Sequence, residues 1–410
     1  MDNLRSCYCN NYTSQQHQIE KNGKFAAMIN HEQYELLCRA EVCQAIDENI
    51  SRNPLDVALD KHIAHAAEVA TQIKYLGRAQ KKLPSYFEAR CIIPSLAFEQ
   101  SSSEESAAHK PLSGGSVLDL TCGLGVDALY LSRKFDRVVT IERDEVLAEV
   151  ARENFRRLGV TNIEVVCADS AEFVGKCDDH FDWCYADPDR RGAKGEKLVR
   201  LEDCSPDMVA LMPRLRSIAE KVCIKASPMF DVEEALRLFD DCSVEVVSLG
   251  DECKEVLIYI GEEGEQQITA TALGVGSYTK ATNSIPTPST PEFRGGEYRW
   301  LVQPDVALQK CRLARAHLAD KVDIWSENGY GFAIEQPNDI IGRVYEIERI
   351  EPFDPKRLKR EMKGQKVQIL KREFPFATER LIAMIGVKEG GSKKIAFTTI
   401  GSNFLSIRLK

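Results

Sequence analysis

The chain has 410 residues, enough for two or three domains that each bury a core of their own. Its hydrophobic share of 43% and mean hydropathy of -0.30 are those of a globular protein, and no apolar run reaches the roughly 20 residues a membrane span requires. The net charge of -9 is uneven: residues 341–410 hold 16 Lys/Arg against 8 Asp/Glu, a balance of +8, which leaves -17 on the rest.

The opening Met1-Asp2-Asn3-Leu4-Arg5 lacks the basic-then-apolar pattern of a secretory signal, which predicts a cytoplasmic location. Residues 1–30 are polar and aperiodic. Apolar residues then recur at helical spacing from Glu32 to Ile50 and from Pro54 to Gln80, and predict a helical N-terminal domain over residues 1–110. Pro84 and Pro94 interrupt the pattern. The stretch Phe98-Glu99-Gln100-Ser101-Ser102-Ser103-Glu104 reads as a loop capping a short helix that runs into Lys110.

From Gly115 to Gly261 strands and helices alternate, which predicts a parallel, doubly wound α/β sheet over residues 111–262. Strands are expected at 116–120, 137–142, 163–168, 181–187, 220–225, 243–249 and 255–260, with a helix from Glu145 to Leu158 ended by Gly159. Only Gly250 to Lys254 join the last two strands, too few for a crossover helix, so the last strand should be antiparallel. Ser, Thr and Pro between Gly276 and Pro291 read as a linker. A small α+β piece over 263–335 follows, with strand Tyr298–Val302, helix Asp305–Leu318 and strand Asp323–Trp325. Residues 336–410 read β-α-β-α-β, as Arg343–Ile350, Pro355–Met362, Lys366–Arg372, Phe376–Ile385 and Lys394–Ile400. The 14 cysteines are scattered, none spaced C-x-x-C, and the 7 histidines are dispersed. They predict reduced, mostly buried thiols and no metal site.

Chemistry concentrates where the strands end. Val117-Leu118-Asp119-Leu120-Thr121-Cys122-Gly123-Leu124-Gly125-Val126-Asp127 is a buried strand, a glycine turn and a helix start, and the next strand ends at Glu142. This is the arrangement of a nucleoside lying across the carboxyl ends of parallel strands, with the acid accepting from ribose hydroxyls. A dinucleotide site would want a third glycine, but Ala128 stands there, and Asp119 would repel a pyrophosphate. A cationic, phosphate-free ligand such as S-adenosylmethionine suits these residues. Asp119, Thr121, Gly123 and Gly125 are then expected around its methionyl part, Glu142 and Arg143 at the ribose, and Ala168 with Asp169 at the adenine.

The fourth strand ends in Asp187-Pro188-Asp189-Arg190-Arg191, which in such a sheet faces the reactive end of the cofactor. Asp187 and the carbonyls fixed by Pro188 could accept the hydrogen of an amine and steer its lone pair. A loop salt bridge between Asp189 and an arginine is the plainer reading and is compatible with that one. Ile224-Lys225-Ala226-Ser227-Pro228 closes the fifth strand beside the same cleft. Glu252-Cys253-Lys254-Glu255 is expected in the turn between the last two strands, with a buried thiol and an ion-paired lysine favoured over a reactive thiolate.

These residues, with Asn154 and Glu99-Gln100-Ser101, resemble the Rossmann-like class I S-adenosylmethionine-dependent methyltransferases. Within them they are similar to a bacterial group with a helical N-terminus, a small ferredoxin-like piece and a C-terminal THUMP-like domain. The resemblance implies methylation of structured RNA, tRNA or rRNA, at a base nitrogen, with Arg343, Lys371, Arg372, Lys393 and Lys394 as phosphate contacts. Two departures stand out. Asp189 replaces the second proline of the usual amine-methylating Asp/Asn-Pro-Pro-aromatic pattern, and Arg190 replaces the aromatic. The uridine carbon-5 enzymes need a cysteine before the proline after strand five, where this chain has Ser227. A protein or small-molecule methyltransferase, or a non-catalytic RNA-binding protein, are the alternatives.

Overall fold

A computed structural model describes residues 29–189, 199–261, 264–285 and 289–410, in two compact units, Met1–Lys225 and Ala226–Lys410. Among the described residues of the first unit, apolar runs bounded by turn residues become five strands: β1 Gly114–Asp119, β2 Phe135–Glu142, β3 Ile163–Cys167, β4 Phe181–Ala186 and β5 Ala219–Ala226. All pair in parallel, in the order β3-β2-β1-β4-β5. Val117, Leu118, Val138, Ile141, Cys184 and Tyr185 are sealed from solvent, as central strands covered on both faces require. The chain winds one way from β1 to β3 and the other way from β4, so a crevice opens at the carboxyl ends of β1 and β4.

Among the described residues seven helices precede β1: α1 His31–Leu37, α2 Ala40–Asn49, α3 Pro54–Ala58, α4 Ala66–Lys82, α5 Pro84–Glu88, α6 Ser95–Gln100 and α7 Glu104–His109. The long periodic runs of the sequence are therefore broken, at Cys38–Arg39 and across 59–65, where His65 adopts a left-handed backbone (φ 55°). Phe98 to Gln100, the start of the expected loop, belong to helix α6, while Ser103 does cap α7, accepting from Ser106 N at 3.2 Å. These helices are stitched to the sheet by buried side chains. Asn154 and Gln72 each exchange two hydrogen bonds with the backbone of Ile92 and Ile93, and the Tyr86 hydroxyl donates to Leu124 O at 3.0 Å.

Between the strands lie α8 Val126–Leu131, α9 Glu145–Arg157, α10 Ser170–Lys176 and α11 Met208–Ile218. Asp144, Asp169 and Asp207 cap the last three, each accepting backbone N–H groups of the first turn.

The second unit opens with α12 Val232–Leu238, followed by the antiparallel pair β6 Cys242–Leu249 and β7 Glu252–Ile260. This is the reversal expected from the short connection, but the turn is only Gly250-Asp251. Glu252 to Glu255 already belong to β7, because Leu249↔Glu252 and Ser248↔Cys253 are register partners. The expected linker is also partly strand: β9 Gly276–Ala281 pairs antiparallel with β8 Gln267–Ala272, which lies parallel to β6.

A mixed eight-stranded sheet completes this unit: β10 Trp300–Pro304, β11 Asp323–Ile324, β12 Gly331–Ala333, β13 Gly342–Pro352, β14 Lys366–Lys371, β15 Lys388–Glu389, β16 Lys393–Ile400 and β17 Asn403–Leu409. Short helices α13 Val306–Lys310 and α14 Ala314–Leu318 replace the single helix expected over 305–318. α15 Pro355–Met362 and α16 Thr378–Ile385 bury Leu358, Met362, Leu381 and Ile385 against Val367, Ile395 and Phe397.

Candidate active site

Four strand ends are tied together around the glycine turn. Cys122 N donates to Ile141 O (2.8 Å), Leu120 N to Tyr185 O (2.9 Å) and Ala168 N to Glu142 O (3.0 Å). Ser170 Oγ donates to Leu120 O at 2.6 Å, and Asp187 N to Thr121 Oγ1 at 2.7 Å. Asp119, Thr121, Glu142, Ala168, Asp169 and Asp187 thus meet in one region, as their places at successive strand ends require.

Asp119 is enclosed, with 0% exposure. It accepts from Thr140 Oγ1 at 2.7 Å and from Thr121 N at 3.0 Å, and so braces the turn from beneath. Burial pushes its carboxyl up to about 7, against the opposing effect of the Thr140 and Thr121 hydrogen bonds. Glu142 accepts from Gly123 N (2.8 Å) with one oxygen and from Asp144 N (3.0 Å) with the other. Its carboxyl is also raised by burial, partly offset by those two bonds.

Gly125 has φ +84°, and a Cβ there would lie 2.6 Å from Phe155 Cζ, so only glycine fits. Over Gly123 (φ +54°) a Cβ would meet nothing within 4 Å, so the turn lies open there, next to Glu142. Asp169 spends Oδ1 capping α10, on Ala171 N (2.9 Å) and Glu172 N (3.1 Å). No lysine or arginine occurs from Asp119 to Asp127. An open glycine turn rimmed by carboxylates fits a cationic nucleoside and does not fit a pyrophosphate.

The β4 turn carries the larger surprise. Asp187 Oδ2 lies 2.6 Å from Lys225 Nζ, whose side chain is 6% exposed. Lys225 also donates to Ser102 Oγ (2.7 Å) and sits 3.8 Å from Asp127, which Lys110 holds at 2.6 Å. Burial alone would raise the Asp127 carboxyl, but the Lys110 and Lys225 ammonium groups, with bonds from Lys110 and Ser102, hold it well below the usual range. Two buried cations and two carboxylates thus form a closed network behind Asp187. The sequence marks it only indirectly, through a lysine closing the apolar run Val222-Cys223-Ile224 and an aspartate inside Val126-Asp127-Ala128-Leu129; buried charges of that kind demand partners.

Asp189 forms an isolated bridge with Ser205 and lies 3.8 Å from Arg143 NH2. The arginine partner thus comes from the end of β2. Pro188 is buried, and Arg190 and Arg191 fall outside the described residues. Glu99 pairs with Arg78 of α4, so it is Ser102 rather than Glu99-Gln100-Ser101 that reaches the network. In the second unit Cys253 is a covered thiol pushed by burial up to about 11, and Lys254 pairs with Glu252 at 2.6 Å, the plainer of the two expectations.

The expected phosphate contacts do not form one group. Lys371 and Arg372 lie at one end of β14, whereas Lys393 and Lys394 oppose Val367 and Gln368 at its other end. Arg343 donates to Gly250 O (2.9 Å), Arg372 to Gln309, and Lys393 to Gln365 Oε1 (2.8 Å). Lys394 stands over the Tyr345 ring, 5.6 Å from its centroid.

A family model for a methyltransferase domain matches residues 117–188, the stretch that contains Asp119, Glu142, Asp169 and Asp187. One described as THUMP domain-like matches residues 342–407. An uncharacterized S-adenosylmethionine-dependent methyltransferase of Mycobacterium tuberculosis is 24% identical over 338 residues, 80% of this chain and 90% of the relative. A 23S rRNA uracil-C5 methyltransferase of Xylella fastidiosa is 45% identical over 86 residues, 20% of this chain and 19% of that one. A crystal structure from Porphyromonas gingivalis, itself assigned only provisionally as a methyltransferase, is alike in fold with a TM-score of 0.77 and 24% identity, over 93% of this chain and 99% of that one. Its strand order and open glycine turn, with these likenesses, give the chain the class I methyltransferase fold, a methyltransferase domain over residues 117–188 and a THUMP-like domain over residues 342–407, and make it similar to S-adenosylmethionine-dependent methyltransferases over most of its length.

Proposed function

We propose that the chain methylates a base nitrogen of structured RNA, of the tRNA or rRNA class. The observation that carries this reading is the Asp187 carboxylate, fixed by Lys225 at the carboxyl end of β4 beside the glycine turn. The cofactor, when bound, supplies a methyl group on a sulfonium, a leaving group that departs as a neutral thioether. Asp119 and Thr121 shape the turn that would hold it, Glu142 would accept from its ribose, and Asp169 would accept from its adenine amine. Asp187 accepts a hydrogen bond from the nucleophilic nitrogen and aims its lone pair at the methyl carbon. The Lys225 ammonium holds Asp187 in place as a hydrogen-bond acceptor, and the nitrogen's proton leaves to solvent after transfer.

The RNA half of the reading is supported by the +8 balance of residues 341–410, by the THUMP-like match and by the rRNA-modifying relative. That relative's carbon-5 chemistry is not carried over. Ser227 precedes Pro228, and Cys223 lies fully buried inside β5. The test is incubation of the full chain with methyl-labelled cofactor and RNA from cells lacking the protein, followed by nucleoside mass spectrometry. Label in an N-methylated nucleoside is expected, and abolished by Asp187→Ala with cofactor affinity retained. Label in protein or small molecules, with none in RNA, overturns the reading.

A further inference from the structure

Three arginines of the THUMP-like domain are tied into ion pairs with its glutamates. Arg349, Arg357 and Arg408 converge on Glu361, and Arg349 and Arg357 also share Glu351. Those guanidinium groups are already spent on the fold. Five lysines are not. Lys359, Lys363, Lys366, Lys388 and Lys393 are all exposed, and among the described residues none of their ammonium groups lies within ion-pair distance of a carboxylate.

The fold gathers these five at one edge. Lys366 and Lys388 are register partners of β14 and β15, and Lys393 opposes Val367, the next residue of β14. Lys388 N donates to Gln365 O and Gly364 N to Gly386 O, both at 2.8 Å, which brings the end of α15 against the turn after α16. Lys359 and Lys363 flank Gly386 there: a Cβ on that glycine would lie 3.6 Å from Lys359 Cγ and 3.4 Å from Lys363 Cγ. Glu389 is the one acid in β15.

Lysines also protect sheet edges from pairing with other chains, and β15, two residues long, is the last strand of its sheet. That explains Lys366 and Lys388, but not Lys359 and Lys363, which belong to a helix and its C-terminal end. Clustered point charges on flexible stems, with no carboxylate to neutralise them, are what phosphate binding uses. We infer that this lysine edge, formed by the start of β14, β15, the start of β16 and the end of α15, grips successive phosphates of the RNA. The inference rests on the RNA reading above, and it moves the grip away from Arg343, Lys371 and Arg372.

The test measures binding of an unmodified tRNA transcript to the full chain at several KCl concentrations. The triple variant Lys363→Gln/Lys366→Gln/Lys388→Gln is compared with Lys61→Gln/Lys81→Gln/Lys176→Gln, exposed lysines of the first unit, and with the edge triple changed to arginine. Each phosphate contact contributes roughly 0.7–0.9 to the slope of log K against log salt. The edge glutamine variant should lose about 2 or more from that slope and bind at least about tenfold more weakly. The first-unit and arginine variants should keep the wild-type slope.

An unchanged slope in the edge variant overturns the inference and leaves the RNA reading intact. So does an edge variant that only aggregates while keeping its RNA affinity, which assigns the lysines to edge protection. Wild-type protein that binds phosphatidylglycerol vesicles but not tRNA assigns the edge to a membrane surface instead. Protein that grips tRNA through the edge yet labels no RNA keeps the inference while the catalytic reading falls.

Discussion

Lys225 Nζ stands 2.6 Å from Asp187 Oδ2, with 6% and 19% of the two side chains exposed. A buried pair of this kind is worth little beside an apolar pair but is costly to break from one side, because the survivor is left charged and unpartnered. Lys225→Met should therefore destabilise the protein by about 3 kcal/mol in urea unfolding. Adding Asp187→Asn should return much of that, for a coupling of about 2 kcal/mol. Additive losses would mean that the contact contributes nothing as a pair. The single Lys225 variant should also depress methyl transfer far more than cofactor affinity.

Asp119 gives the protein a pH dependence of definite sign. Its carboxyl is raised by burial from 3.8 to about 7 in the folded chain. Below about pH 4 both folded and unfolded states hold the proton. Between about 4 and 7 only the folded state does, so stability falls as pH rises through that window and is level above it. The rise to about 7 sets an upper limit of about 4 kcal/mol on the effect. Asp119→Asn removes the titration, so its stability relative to wild type should improve from pH 4.5 to pH 8. Parallel unfolding midpoints for the two proteins across that range would refute the assignment.

The turn at Gly125 should be the least tolerant position in the site. An alanine there needs a left-handed backbone and collides with Phe155 at 2.6 Å. Overpacking and conformational strain together predict a loss of about 2–4 kcal/mol for Gly125→Ala, and loss of cofactor binding by calorimetry. Phe155→Leu in the same chain should relieve the collision and restore part of the stability but not the backbone strain.

Asp169 has two roles that one substitution can separate. Asparagine caps helices about as well as aspartate, so Asp169→Asn should keep the stability that Asp169→Ala loses, about 1 kcal/mol. The oxygen that does not cap α10 becomes an amide nitrogen in the asparagine. If it faces an adenine amine, cofactor affinity should drop about tenfold in both variants. Full affinity in Asp169→Asn would leave the residue as a cap alone.

Much of this site was legible before any coordinates. Strand ends are marked by an apolar run meeting an acid, and Asp119, Glu142, Asp169 and Asp187 carry that mark. The glycine turn and the reversal of β7 followed from local chemistry and loop length. The helices before β1 were less legible because periodicity reports a buried face and not where it breaks, as at Cys38–Arg39. β9 reads as a linker because it opens the Ser-, Thr- and Pro-rich stretch 276–291, and its pairing with β8 comes from hydrogen bonds that composition does not register. The Lys110, Asp127 and Lys225 network was missed for a deeper reason. Lys110 and Asp127 are 17 positions apart and Lys225 is 38 from Asp187, and only the folded chain shows which charges are neighbours. Cations picked by sequence position likewise split between the two ends of β14, since strand direction decides which of them are neighbours.

Gln72 and Asn154 finish the backbone of Ile92 and Ile93 as a neighbouring strand would, and Tyr86 does the same for the carbonyl of Leu124. Excising a minimal catalytic fragment that starts at the first strand would strip Asn154 and Leu124 of those bonds inside an apolar interior. The smallest autonomous portion of this chain that keeps a competent glycine loop must therefore begin upstream of Gln72, and fusions or transplants of this enzyme should carry the helical preamble with them.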